Sequence, residues 1–211
     1  MTRPVPIGRK VVVYGPSGSG KSTVGEGLAR KLGLPWIELD AIYHAGPGWQ
    51  DLDTAVFRDE VRTRLESMPH GWVMDGNYHV AMEECRSSAQ TIVWLDLPFH
   101  VVYRRLARRT VGRALRGTEL WNGNRETVRQ TFLSRDSMLW WGIHAWRWSK
   151  ARTRNAVAAR APGTRVYRLR TTGQVRYLLD HAELTTPDAD SGGLPSTPHE
   201  EDEPDANLPR R

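Results

Sequence analysis

Gly15-Pro16-Ser17-Gly18-Ser19-Gly20-Lys21-Ser22 has the residue types and spacing of a phosphate cradle. It reads G-x-x-x-x-G-K-S, the pattern of a P-loop. Gly15, Gly18 and Gly20 let the backbone curl so that its N–H groups converge on one concavity, which favours anions. A helix starting near Lys21 adds the positive end of its dipole. Lys21 reaches β- and γ-phosphates, and the Ser22 hydroxyl is a ligand of the kind Mg²⁺ takes. Gly15 through Thr23 is therefore expected to bind ATP, with Mg²⁺ at Ser22.

Such a motif needs a strand before it and a helix after it. Lys10-Val11-Val12-Val13-Tyr14 is an apolar, β-branched run that predicts a buried strand. Val24, Leu28, Ala29 and Leu32 share one helical face in the segment that follows. Further strands are expected at Leu34–Asp40, Gly71–Asp75, Thr91–Asp96 and Arg165–Leu169. Helices are expected at Asp53–Met68, Phe99 to about Leu115, Arg125–Ala159 with a break near Gly142, and Gln174–Ala182. Ala41–Gln50 reads as a loop carrying Trp49, and Arg116–Asn124 as a polar loop carrying Trp121. Strands alternating with helices predict an α/β fold, a parallel sheet with helices on both faces. Ligands in such sheets lie beyond the carboxyl ends of the strands. That rule selects Asp40, Asp75 and Asp96, each closing a predicted strand.

Composition narrows the class. The chain has 211 residues and a net charge of +6. Residues 185–211 hold seven acids and two bases, −5 net, so the preceding 184 residues carry +11. A basic body suits anionic substrates such as nucleotides, and also nucleic acid. Pro, Gly, Ser, Asp and Glu dominate from Thr185 onward, which predicts a domain over 1–184 and an unstructured acidic tail over 185–211. No run of eighteen apolar residues occurs, so no membrane partner is expected. A single cysteine, Cys85, allows no intrachain disulfide, and the first residues lack a signal peptide's apolar stretch. A cytoplasmic location is expected.

Three segments resemble the nucleoside monophosphate kinase branch of P-loop proteins. They are Gly15–Ser22, Val73-Met74-Asp75-Gly76, and Trp94-Leu95-Asp96-Leu97-Pro98 leading to Arg105 and Arg109. Leu39-Asp40-Ala41, Pro47-Gly48-Trp49, Asp75-Gly76-Asn77-Tyr78 and a Trp/Arg-rich late helix are further similar to small adenylate-kinase-like proteins often labelled DNA topology modulation proteins. The resemblance covers roughly residues 8–182. It implies a P-loop NTPase fold of three αβα layers, with five parallel strands ordered 2-3-1-4-5.

The resemblance also implies roles. Asp75 would hold water on Mg²⁺, with Asp96 the competing acid. Arg105 matches the arginine that stacks on adenine, and Arg109 the one that reaches phosphate; they lie one turn apart on one helical face. Arg125, Arg129 and Arg135 would follow a short lid near 116–124, too short for the long-lid adenylate kinases and without cysteines for zinc. Asp40 either binds a substrate hydroxyl or acts as base, as in shikimate-kinase-like proteins, or it N-caps a helix. Asn77, Tyr78 and His79 lie where an acceptor would bind. Trp49 either stacks on a base or caps the core, and Trp140, Trp141, Trp146 and Trp148 read as packing. Two function classes emerge. One is a kinase moving the γ-phosphoryl of ATP to a small-molecule acceptor, a nucleotide or a hydroxyl metabolite. The other is a nucleotide-regulated nucleic-acid-binding protein. The first is preferred, and it requires Arg105 and Arg109 to converge on the P-loop.

Overall fold

A computed structural model describes residues 3–44, 51–116 and 138–185. In chain order the elements are β1 (Val5–Ile7), β2 (Lys10–Tyr14), α1 (Lys21–Leu32), β3 (Trp36–Glu38), α2 (Leu39–Tyr43), α3 (Thr54–Ser67) and β4 (Trp72–Asp75). There follow α4 (His79–Arg86), β5 (Thr91–Leu95), α5 (Phe99–Arg116), α6 (Met138–Ala158), β6 (Arg165–Leu169), α7 (Thr172–His181) and β7 (Ala182–Leu184).

β2 is central because both its faces are apolar. Val12 and Tyr14 enter one core with Met74, Trp94, Phe57, Val61, Met82 and Val157. Val11 and Val13 enter the other, with Val24, Leu28, Val73, Val93 and Leu178. Helices α3, α4 and α6 therefore cover one face, and α1 and α7 the other. Period-two alternation from a strand buried on both sides produces the three αβα layers. The five strands are all parallel in the order β3-β4-β2-β5-β6. This is the 2-3-1-4-5 order that the resemblance implies.

Caps fix several helix starts. Asp53 Oδ1 accepts from Ala55 N–H at 2.8 Å at the head of α3. Thr171 and Gln174 form a capping box on α7. Each such cap contributes about 1 kcal/mol.

The fold departs from the sequence expectations in four places. The strand expected over Leu34–Asp40 is only Trp36–Glu38, and α2 begins at once. Leu39 and Ile42, one helical turn apart, are both buried, and that burial favours a helix over further extension. Asp40 thus sits inside α2, and the N-cap is Glu38. Helix α6 runs through Gly142 without interruption. Finally, Ala182 belongs to a strand: β7 pairs in parallel with β1, and neither strand was expected. Residues 117–124 of the expected lid, the tail from 186, Trp49, Trp121, Arg125, Arg129 and Arg135 lie outside the described residues, as do the side chains of Trp140 and Trp141.

Candidate active site

The P-loop links β2 to α1. Ser19 N–H donates to the Pro16 carbonyl at 3.0 Å, and Val24 N–H donates to the Gly20 carbonyl at 2.9 Å. Gly20 is the N-cap of α1, and no side chain caps that helix. Its first N–H groups therefore point into the loop with no side-chain acceptor, which is the arrangement an anion completes. Helix α5 braces the loop from one side. Gly18 has φ 85°, and a Cβ there would lie 2.7 Å from the Val102 carbonyl oxygen, so glycine lets α5 approach. Arg105 Nη1 donates to the Ser19 carbonyl at 3.0 Å.

Lys21 is the charge at the centre. Burial holds its pKa below the usual lysine range, opposed by Asp40 and Asp75; Arg109 lowers it further and Glu38 raises it. The structure thus gathers Asp40, Asp75, Arg109 and Glu38 around the P-loop lysine. Arg105 and Arg109 both converge on the loop while remaining solvent-accessible.

Asp75 ends β4 fully buried. Ser22 Oγ donates to its Oδ1 at 3.3 Å, and Trp36 Nε1 donates to its Oδ2 at 2.7 Å. Gly25 permits this. A Cβ there would stand 3.0 Å from both Asp75 Oδ2 and Trp36 Nε1. Burial pushes the Asp75 carboxyl from 3.8 up to about 6, against the lowering effects of the Trp36 bond and Lys21. Its own partners are therefore neutral groups, with no ion pair among the described residues. Two oxygen donors this close suit a hard divalent cation that keeps most of its water.

Asp40 accepts a hydrogen bond from Tyr78 Oη at 2.9 Å. Burial and the Asp40 charge hold the Tyr78 hydroxyl protonated, well above its usual pKa. The helix-cap alternative for Asp40 does not hold, because Asp40 lies within the first turn and its oxygen faces a phenol. Asn77 is engaged by Gly15 and Ser149. His79 is exposed and stands 3.5 Å from Glu83.

Asp96 has a different environment. Lys150 Nζ lies 2.8 Å from its Oδ1, and Arg168 Nη2 and Nε lie 2.7 and 2.9 Å from its Oδ2. Arg168 also stacks over Trp94 at 4.5 Å. Asp96 therefore does not compete for the loop: both its oxygens face cations, and the first turn of α5 closes on the Pro98 carbonyl instead.

Sequence reasoning missed Trp36, Glu38, Lys150 and Arg168. A signal existed for Glu38, which ends β3 in register with Asp75. Trp36 had none, since its partner is 39 residues away.

A family model described as AAA domain matches residues 11–127. A shikimate kinase of Paramagnetospirillum magneticum is 34% identical over 119 residues, 51% of this chain and 59% of that protein. The match therefore spans less than two thirds of that relative's length. A shikimate kinase of Chlorobium chlorochromatii is 30% identical over 133 residues, 57% of this chain and 70% of that protein. The solved shikimate kinase from Acinetobacter baumannii in complex with shikimate is 16% identical, covers 82% of this chain and 89% of that one, and has a TM-score of 0.48. With the P-loop, α1, α5 and all but the first residue of β2 inside the matched span, the chain belongs to the AAA-domain family of kinase-like P-loop proteins.

Proposed function

We propose that this protein transfers the γ-phosphoryl group of ATP to a hydroxyl of a small acceptor molecule. The observation that carries the reading is the gathering of Asp40, Asp75 and Arg109, from three separate segments, around Lys21. In this reading Gly15–Thr23 wraps the phosphates with backbone N–H groups. Lys21 pairs with β- and γ-oxygens. Arg109 meets the charge that spreads over the transferring group, where a guanidinium fork suits its oxygens. Arg105 holds the loop through the Ser19 carbonyl and flanks the nucleotide. Ser22 and Asp75 are the residues that would hold Mg²⁺, which supplies charge neutralisation on the phosphates.

Asp40 takes the acceptor's hydroxyl proton. The acceptor oxygen forms a bond to the γ-phosphorus while the bond to the ADP oxygen breaks. Tyr78 fixes the Asp40 carboxylate for that proton. The names of the shikimate kinase relatives support a hydroxylated metabolite as acceptor. The bond from Arg105 into the P-loop supports phosphotransfer over a nucleic-acid surface, which needs its arginines spread outward. The buried lone thiol of Cys85 suits a reducing, cytoplasmic setting.

The test is calorimetric ATP binding with Mg²⁺ present. Lys21→Ala should weaken affinity about 10- to 100-fold, the worth of a hydrogen bond to a charged group. Unchanged affinity in a folded variant would falsify the assignment. An ATP-consumption screen over hydroxy acids and nucleoside monophosphates then identifies the acceptor.

A further inference from the structure

The ladder between β2 and β4 stops where the chemistry starts. Val13 pairs with Asp75, and Gly76 N–H still reaches the Val13 carbonyl at 3.4 Å. Beyond that point the β4 chain turns away, and the next β2-side residue with a peptide to satisfy is Gly15, the first residue of the P-loop. Its N–H and C=O would both lose their strand partner. Both are instead bonded by one side chain. Asn77 Oδ1 accepts from Gly15 N–H at 3.2 Å, and Asn77 Nδ2 donates to the Gly15 carbonyl at 2.5 Å. The same Nδ2 donates to Ser149 Oγ of α6 at 3.1 Å.

A carboxamide is the side-chain group that matches a peptide, with one acceptor and one donor side by side. Aspartate offers no donor, and serine is too short to span both groups. We infer that Asn77 is a positioning residue: its side chain stands in for a missing strand residue, holds the entry of the P-loop open in its phosphate-binding shape, and ties that shape to α6 through Ser149. The inference rests on the P-loop reading above for its effect on nucleotide. The clamp itself does not depend on it.

α6 makes a second attachment at the next residue, Lys150, which pairs with Asp96 on the other side of β2. One turn of α6 therefore touches the carboxyl ends of both strands that flank the P-loop strand. Only the Ser149 attachment passes through Asn77 to the loop backbone.

The experiment uses the full chain and two readouts. Amide hydrogen exchange of Gly15 is followed by NMR without nucleotide, and ATP affinity and steady-state constants are measured beside it. Asn77→Ala should speed Gly15 exchange about tenfold or more while Val12 keeps its protection, because only the local partner is removed, and Asn77→Asp, which keeps an acceptor but sets a carboxylate oxygen against the Gly15 carbonyl, should speed it less. ATP affinity should fall about tenfold in both, with KM rising more than kcat falls. Asn77→Gln should fail to restore either, since its extra methylene displaces the amide. Ser149→Ala should show a smaller change of the same sign. Unaltered Gly15 exchange in Asn77→Ala overturns the inference. So does altered exchange with parental ATP affinity and KM. A parent chain that binds no ATP sinks the functional reading instead, and Gly15 exchange still decides the clamp.

Discussion

Asp75 and Asp96 close two neighbouring strands on either side of β2, and the chain treats them in opposite ways. Asp75 is bonded by a hydroxyl and an indole, both neutral. Asp96 is gripped by an ammonium and a guanidinium. Both are buried acids in apolar strands, so residue type alone does not separate them. Their partners do. A carboxylate whose hydrogen-bond partners are neutral keeps its charge for something that arrives later. One already neutralised by two cations is a fastening, joining β5 to α6 and β6. The difference leaves a carboxylate open to a ligand on the β4 side of the loop and a fastened one on the β5 side.

The comparison breaks if the two positions respond alike to removal of charge. The largest effect is expected at Asp75→Asn. Turnover at fixed Mg²⁺ should drop about 100-fold. The melting temperature should hold or rise, because a buried charge is removed and its two hydrogen-bonding neighbours can be kept. Asp96→Asn should do the reverse. It leaves Lys150 and Arg168 without their counter-charge, and as both are partly exposed the cost should be about 2–3 kcal/mol. For a chain of this size that lowers the melting temperature by about 5–10 °C, with turnover of the folded fraction within a few-fold of the parent. Equal activity losses, or equal thermal losses, would erase the distinction.

A third measurement sharpens it. The folded Asp75 carboxyl holds its proton to about pH 6, and the unfolded chain releases it near 3.8. Between those values the folded state binds more protons, so stability should fall as pH rises, by up to about 1.4 kcal/mol per unit. Urea melts at pH 4, 5 and 6 should show this slope in the parent and its loss in Asp75→Asn. An identical slope in both would mean that Asp75 is not the group responsible.

Much of the fold was legible because a local pattern carried it. The P-loop, its apolar strand and its amphipathic helix are contiguous, and the alternation of strands with helices implied helices on both faces of a parallel sheet. Asp75 and Ser22 come together because the parallel neighbour of the P-loop strand delivers its last residue to the first turn of α1. What stayed hidden depends on distant partners. Lys150 and Arg168 reach Asp96 from the far end of the chain, and nothing near Asp96 announces them. Asp40 was misplaced at the end of a strand because a short run such as Leu39-Asp40-Ala41-Ile42-Tyr43 suits strand or helix until the core chooses. Strand β1 is three residues with a proline in the middle, and only its distant mate β7 makes it a strand.

That last pairing has a consequence in time. Val5–Ile7 lies against Ala182–Leu184, so a strand made early waits for one made almost 180 residues later, and contacts of such long range form slowly. As the ribosome delivers the chain, the P-loop segment is present long before its fold can be fastened. Buried Val5 and Ile7 have no mate until Leu184 has emerged. During that interval the apolar face shared by β1, α1 and α7 stays open, and the nascent chain is most vulnerable to sticking to its neighbours there.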